Sequence, residues 1–315
     1  MKQAENTPSA LPPERLERIL PPAAEAALTA AMLGIYPPGF LQTAGGPETI
    51  EVEVQTRPYW FRQRYTPWLA GQLELDGARV LEIGAGTGAG TIPLAERGAR
   101  VEALDIAGPS LEVTRVRAGL HGLAERIRLH MGNAAEIGER FAGARFDLVL
   151  YFAALEHMTY RERIATLRAA WQLLAPGGTL CAIDTPNRLW YFDNHTAFTN
   201  FFHWLPDEVA MDYAARTPRG GFNGDFASVD AAASLRLARW GRGVSYHDFE
   251  IALGSLEGIA VAGEWQHRRD ADPWFAEWWA GTEAGRYHAF LRGIAPAVPV
   301  PWLEEEIAVA LRKPI

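Results

Sequence analysis

The run Val-Leu-Glu-Ile-Gly-Ala-Gly-Thr-Gly from Val80 to Gly88 constrains this chain more than any other stretch. Its apolar, β-prone residues predict a short buried strand. The chain then breaks into alternating glycines at Gly84, Gly86 and Gly88, and helical spacing resumes from Thr91 to Arg97. Strand, glycine turn and helix start are the parts with which an open α/β sheet binds a nucleotide-like ligand. Glycine permits the sharp turn and lets a ligand lie directly against the backbone. The dinucleotide fingerprint is G-x-G-x-x-G, with helix amides facing a pyrophosphate. Here the spacing is G-x-G-x-G, and Glu82 stands two residues ahead of the first glycine. A carboxylate there repels phosphate and suits a cationic amino-acid group.

The segments that follow keep one alternating rhythm. Arg100 to Asp105 reads as a second strand ending in an acid. That acid lies roughly 20 residues past the glycines, where a carboxylate meets the ribose hydroxyls of a bound nucleoside. Ser110 is available to cap the next helix, Leu111 to Leu120, which leaves Asp105 free for the ribose. A third strand follows from Arg126 to Met131, then a Gly132-Asn133-Ala134 turn and a fourth strand from Phe146 to Tyr151. Tyr160 to Leu174 is an amphipathic helix, Ala175-Pro176-Gly177-Gly178 a turn, and Thr179 to Asp184 a fifth strand. Five alternations of strand and helix imply a parallel sheet with helices on both faces.

A chain of 315 residues can bury one generous core or two modest ones. The 38 acidic against 30 basic residues, a net charge of −8, argue against a nucleic-acid surface and favour a small or neutral substrate. A single cysteine, Cys181, excludes an intrachain disulfide and fits a reducing compartment. No apolar run approaches bilayer length and no leader pattern opens the chain, so the expected location is cytoplasmic, with no membrane partner. Oligomeric state is not legible. Residues 1–13 read as a lead-in, followed by helical character from Glu14 to Ile35. The expected division is an N-terminal helical extension over 1–56, a ligand-binding core over 57–185, a helical substrate or lid insertion over 186–258, and the last two strands with an aromatic-rich insertion over 259–315.

Glu82-x-Gly84-x-Gly86-x-Gly88, Asp105, Phe146-Asp147-Leu148-Val149 and Leu174-Ala175-Pro176-Gly177-Gly178 stand in the order found in class I S-adenosylmethionine-dependent methyltransferases. The resemblance covers roughly residues 57 to 190 and is closest to the small-molecule, ubiquinone-type (type-11) enzymes. It implies a doubly wound, Rossmann-like, mostly parallel seven-stranded sheet, with Ile259 to Gly263 as sixth strand and an antiparallel last strand from Ile307. It implies S-adenosylmethionine as cofactor, met by Glu82, Gly84, Ala85, Gly86, Gly88 and the backbone of Tyr151 around the methionine part. Asp105 and Ile106 would meet ribose and adenine. Asn133, with Ala134, stands where the family carries an acid; its side-chain oxygen can still accept from the adenine amino group. The aromatic helix from Tyr59 to Tyr65 would close over the cofactor, with Tyr59 or Tyr65 lining its pocket; packing on the sheet is the plain alternative, compatible with it.

The catalytic side is less marked. Ubiquinone-type enzymes resemble this chain further through a Glu-x-x-Glu-His set that can hold a divalent metal. Ala153 replaces the first Glu here, so Glu156 and His157 are expected to shape the pocket without a metal. His195, in the Asp193-Asn194-His195-Thr196 loop, is the first expected base, with His157 second and His203 third. A loop histidine ordered by Asp193 and without chemistry is the plain alternative for His195. Trp274, Phe275, Trp278 and Trp279 read as core aromatics or as part of a lid over an apolar substrate. The expected reaction is methyl transfer to the oxygen or nitrogen of a small acceptor. An S-adenosylmethionine-binding protein with a regulatory or other non-methylating role is the alternative.

Overall fold

A computed structural model describes residues 20–315. The lead-in over 1–13 and the expected helix start at Glu14 lie outside the described residues. Seven strands form one sheet: β1 Arg79–Ile83, β2 Arg100–Asp105, β3 Ile127–Met131, β4 Phe146–Phe152, β5 Leu174–Pro186, β6 Ala260–Gly263 and β7 Glu306–Arg312. Their order is β3-β2-β1-β4-β5-β7-β6. The first five are parallel, and β7 runs antiparallel between β5 and β6. The chain thus forms the Rossmann-like, mostly parallel sheet expected from its sequence.

Burial explains why these strands are legible. Val80, Leu81, Ile83, Leu148, Val149 and Leu150 are wholly inaccessible, because helices cover both faces of a parallel sheet. β1 lies between β2 and β4, with Ile83 paired to Leu104 on one side and Tyr151 on the other. Strand order reverses there, and a crevice opens beyond the carboxyl ends of the strands. The helix Tyr160–Leu173 is set by a capping box in which Thr159 and Glu162 satisfy each other's amides.

Three local expectations shift. The helix after β2 spans Gly108–Leu120, so Ser110 sits in its first turn and is not its cap. β5 begins at Leu174, not Thr179, with its register to β4 broken near Phe146. Residues 46–70 form one continuous helical run containing two π turns, Val52–Thr56 and Phe61–Tyr65. The division expected between residues 56 and 57 falls inside that run.

Phe275 and Trp279 pack with Trp265 into the same core as Phe61, Tyr65 and Trp68, so two of the four aromatics are core, and Trp278 packs against them partly buried. Trp274 remains 71% exposed. Residues 186–258 hold a separate cluster that includes Phe202, Phe222, Phe226 and Leu237. No described helix is long and apolar enough to cross a membrane.

Candidate active site

A cavity of about 380 Å³ opens at the carboxyl ends of β1, β2 and β4. Gly84, Ala85, Gly86, Asp105, Ile106, Asn133 and Ala134 line it from the sheet side, as expected. Gly84 has φ 77°, and a Cβ there would stand 2.5 Å from the Cβ of Ala154, so only glycine fits. The Gly84 and Ala85 amides both donate to the Leu104 carbonyl, which ties the glycine turn to the end of β2. Asp105 Oδ2 accepts from the Gly86 amide at 2.8 Å and Oδ1 from the Ala107 amide at 2.7 Å. Each oxygen keeps a further lone pair, so the carboxylate is aimed and still able to take ribose hydroxyls. Ile106 is 65% exposed at the rim and offers a flat apolar surface to an aromatic base.

Asn133 also lines the cavity; its Oδ1 accepts from the Ala135 amide at 2.9 Å as a helix cap and keeps a second lone pair.

Four expected contacts do not reach the cavity. Glu82 is fully buried and its Oε2 accepts from the Thr91 hydroxyl at 2.5 Å. Burial pushes its acid up to about 8, against the Thr91 hydrogen bond, and Asp105 adds to the rise. Gly88 packs on Thr114. Tyr151, expected to offer backbone groups, is not among the lining residues, which at this strand end are Phe152, Ala153 and Ala154; its hydroxyl hydrogen-bonds Thr166. Tyr65 is buried against Phe61 and Phe152.

Three lining residues belong to none of the motifs above: Tyr36, Glu53 and Arg57. Glu53 accepts from Arg57 at 3.0 Å and from the Thr87 hydroxyl at 3.0 Å. Arg57 also reaches Asp184 at 3.3 Å and lies over the Phe152 ring. Buried Arg117 donates to the carbonyls of Thr87, Val54 and Glu53, fastening the N-terminal helical run to the glycine turn. The spacing of Glu53 and Arg57 (i, i+4) was the available signal.

The three expected bases part company. His203 is 2% exposed; its Nδ1 accepts from the Gly243 amide and its Nε2 lies 3.2 Å from Asp193 Oδ1. It is a structural pin of the loop, away from the cavity. His157 lines the cavity, and His195 stands behind it with ring centroids 5.1 Å apart. Asp193 orders the His195 loop by accepting from the amides of His195, Thr196 and Ala197. Glu156 lies between the two rings, fully buried, with neither carboxylate oxygen hydrogen-bonded. Its Oε1 is 3.7 Å from His157 Nε2 and 3.9 Å from His195 Nε2. His195 thus brings a third donor atom beside Glu156 and His157. Among the described residues, this is the group of His and Glu side chains whose donor atoms lie within 4.8 Å of one another. Burial raises the Glu156 acid to about 8 and lowers both imidazoles, His195 to about 3, with its neighbour His157 adding to the fall. Both rings are neutral near pH 7.

Comparison with known proteins gives the family. Residues 80–178 match the methyltransferase domain family. A ubiquinone biosynthesis O-methyltransferase from Xanthomonas oryzae is 34% identical over 204 residues, covering 64% of this chain and 73% of that protein. One from Cereibacter sphaeroides is 37% identical over 120 residues, covering 38% of this chain and 46% of the relative; that match spans about half the relative's length. Among solved structures, the CcbJ methyltransferase from Streptomyces caelestis is 27% identical, with 41% of this chain and 50% of that one covered at a TM-score of 0.37. This chain belongs to the S-adenosylmethionine-dependent methyltransferases, and S-adenosylmethionine is its cofactor.

Proposed function

We propose that this protein transfers the methyl group of S-adenosylmethionine to a hydroxyl of a small, partly apolar acceptor. The observation that carries the reading is the meeting of buried Glu156 with the half-buried His157 and His195 at one end of a cavity whose other end holds Asp105 and the glycine turn. When bound, the cofactor supplies an electrophilic methyl on a positively charged sulfur. The chain must align the nucleophile, exclude water and remove a proton. Gly84, Gly86 and Asp105 hold the donor, and Glu53 with Arg57 closes the N-terminal side. The acceptor hydroxyl is directed at His157, with His195 behind it, and its proton leaves through this group. Oxygen is favoured over nitrogen because an alcohol or phenol needs this proton-accepting machinery, whereas a neutral amine does not. Two matched relatives bear the name of an O-methyltransferase. The non-methylating alternative has no such support.

The acidic balance of the chain supports a small molecule over nucleic acid as acceptor. One buried thiol is in keeping with a reducing, cytoplasmic setting. The test is to incubate the protein with S-adenosylmethionine and matched hydroxyl and amine acceptors, following S-adenosylhomocysteine and methylated product by mass. Methylated hydroxyl acceptors support the reading. Cofactor binding without product formation, or transfer only to amines, would overturn it.

A further inference from the structure

We propose that Arg188 and Arg242 form an oxyanion subsite beside the cofactor cavity, one that takes a carboxylate or phosphate group. The two arginines wall a second cavity of about 230 Å³, together with Arg163, Asp207, His247 and Asp248. Met158 belongs to the walls of both cavities, so the second adjoins the end where His157 stands. Asn187 and Val244 pair as an isolated bridge, and the Arg188 amide donates to the Val244 carbonyl at 2.8 Å. A Cβ at Gly243 would stand 2.8 Å from the Arg188 Cα, so glycine is what lets the two segments touch this closely. The Arg188 backbone is therefore fixed at the cavity wall.

The charges around this cavity do not balance, since three arginines face two aspartates. Arg163 donates to Asp248 at 3.0 Å and to the Leu155 and Arg242 carbonyls, and Asp248 also takes the Ser245 amide. Buried Arg242 donates to Asp207 at 3.1 Å and to the Phe202 and Leu205 carbonyls. Asp207 is exposed, so water weakens that pair. Asp193, the other carboxylate acting on Arg242, is already held by three amides and His203. Arg188 is left over. It is half-buried, and among the described residues no hydrogen-bond acceptor or carboxylate meets its guanidinium. Burial and then the nearby Arg188 charge lower the Arg242 guanidinium to about 10. Two like charges in a half-enclosed space are costly unless an anion lies between them. Guanidinium forks match the paired oxygens of a carboxylate or phosphate, which fixes the class of the occupant.

Occupancy of the subsite is independent of the reaction, whereas its use by the acceptor rests on the methyl-transfer reading. Full-length protein is titrated with inorganic phosphate at constant ionic strength, followed by calorimetry. One saturable equivalent is expected, with affinity at least tenfold weaker in Arg188→Ala. Arg188→Gln covers the case in which Arg188→Ala fails to fold. Absent saturable binding in the unaltered chain, or unchanged affinity in a folded Arg188 variant, overturns the proposal. Methyl transfer is then compared for a phenol and the same phenol bearing a carboxylate. A KM at least tenfold lower for the carboxylate-bearing acceptor, raised by phosphate and by Arg188→Ala, supports the subsite with the acceptor as its occupant. Equal KM values with phosphate still bound support it with a separate small anion as occupant. If no acceptor is methylated, the methyl-transfer reading fails, and the phosphate titration still decides the subsite.

Discussion

The Gly86 amide donates to Asp105 Oδ2 across 2.8 Å, joining the glycine turn after β1 to the carboxyl end of β2. One side chain therefore shapes the turn and presents a carboxylate to the cavity. Asp105→Ala should cost about 1–3 kcal/mol of cofactor affinity, or about 5- to 150-fold in Kd. Asp105→Asn should fall between, since it keeps an acceptor and loses the charge. Calorimetric titration with S-adenosylmethionine checks this, and an unaltered Kd in Asp105→Ala would remove the ribose role.

Arg117 holds the N-terminal helical run on the glycine turn through three carbonyls. Arg117→Ala leaves those acceptors without their charged donor. Stability should drop by about 2–4 kcal/mol, and cofactor affinity should fall with it because Glu53 and Arg57 lose their seat. Denaturant unfolding and titration on the same sample check that both change together. Glu53→Gln should weaken the cofactor with little change in unfolding midpoint.

Glu82 gives a pH signature of stability in place of the direct cofactor contact expected from sequence. Its folded acid titrates at about 8, raised mainly by burial, above an ordinary unfolded carboxyl. Between roughly pH 4.5 and 8 the unfolded chain has released this proton and the folded chain retains it. The unfolded state then binds fewer protons, so this group lowers stability as pH rises. Glu82→Gln keeps an acceptor for the Thr91 hydroxyl and removes the titration. Its melting temperature should fall less between pH 5.5 and 8 than that of the unaltered protein. Parallel slopes for the two proteins would contradict this.

Asp193 collects the His195, Thr196 and Ala197 amides and the His203 ring while 1% exposed. Although burial pushes its carboxyl up, His203 and the amides hold it at about 2. Its contribution to stability is therefore present above about pH 4 and is lost as pH falls through 2. Asp193→Ala should destabilise by about 3 kcal/mol at pH 7 and shift the His195 loop. Cofactor affinity should change much less, because the loop lies behind the cavity. Urea unfolding at pH 7 and 3 checks the first statement, with the gap between variant and parent narrowing at pH 3.

Sequence by itself determined the strands of the sheet and pointed to the glycine turn and Asp105 that line the cavity. β1 and β4 were legible because strands covered on both faces must be apolar runs, and the antiparallel direction of β7 came from the family resemblance. Gly84 and Asp105 were legible because a backbone with positive φ and a carboxylate at a strand end leave fixed marks on neighbouring residues. Tertiary structure alone decided what faces what. Glu82 and Tyr151 lie in or beside legible motifs, yet Glu82 is buried against the Thr91 hydroxyl and the Tyr151 side chain turns to the other face of the sheet, against Thr166. The Glu53–Arg57 clamp and the meeting of His195 with Glu156 and His157 depend on how loops distant in sequence fold over the sheet. No periodicity along the chain encodes such meetings, because they arise from packing between elements whose relative placement the whole core sets.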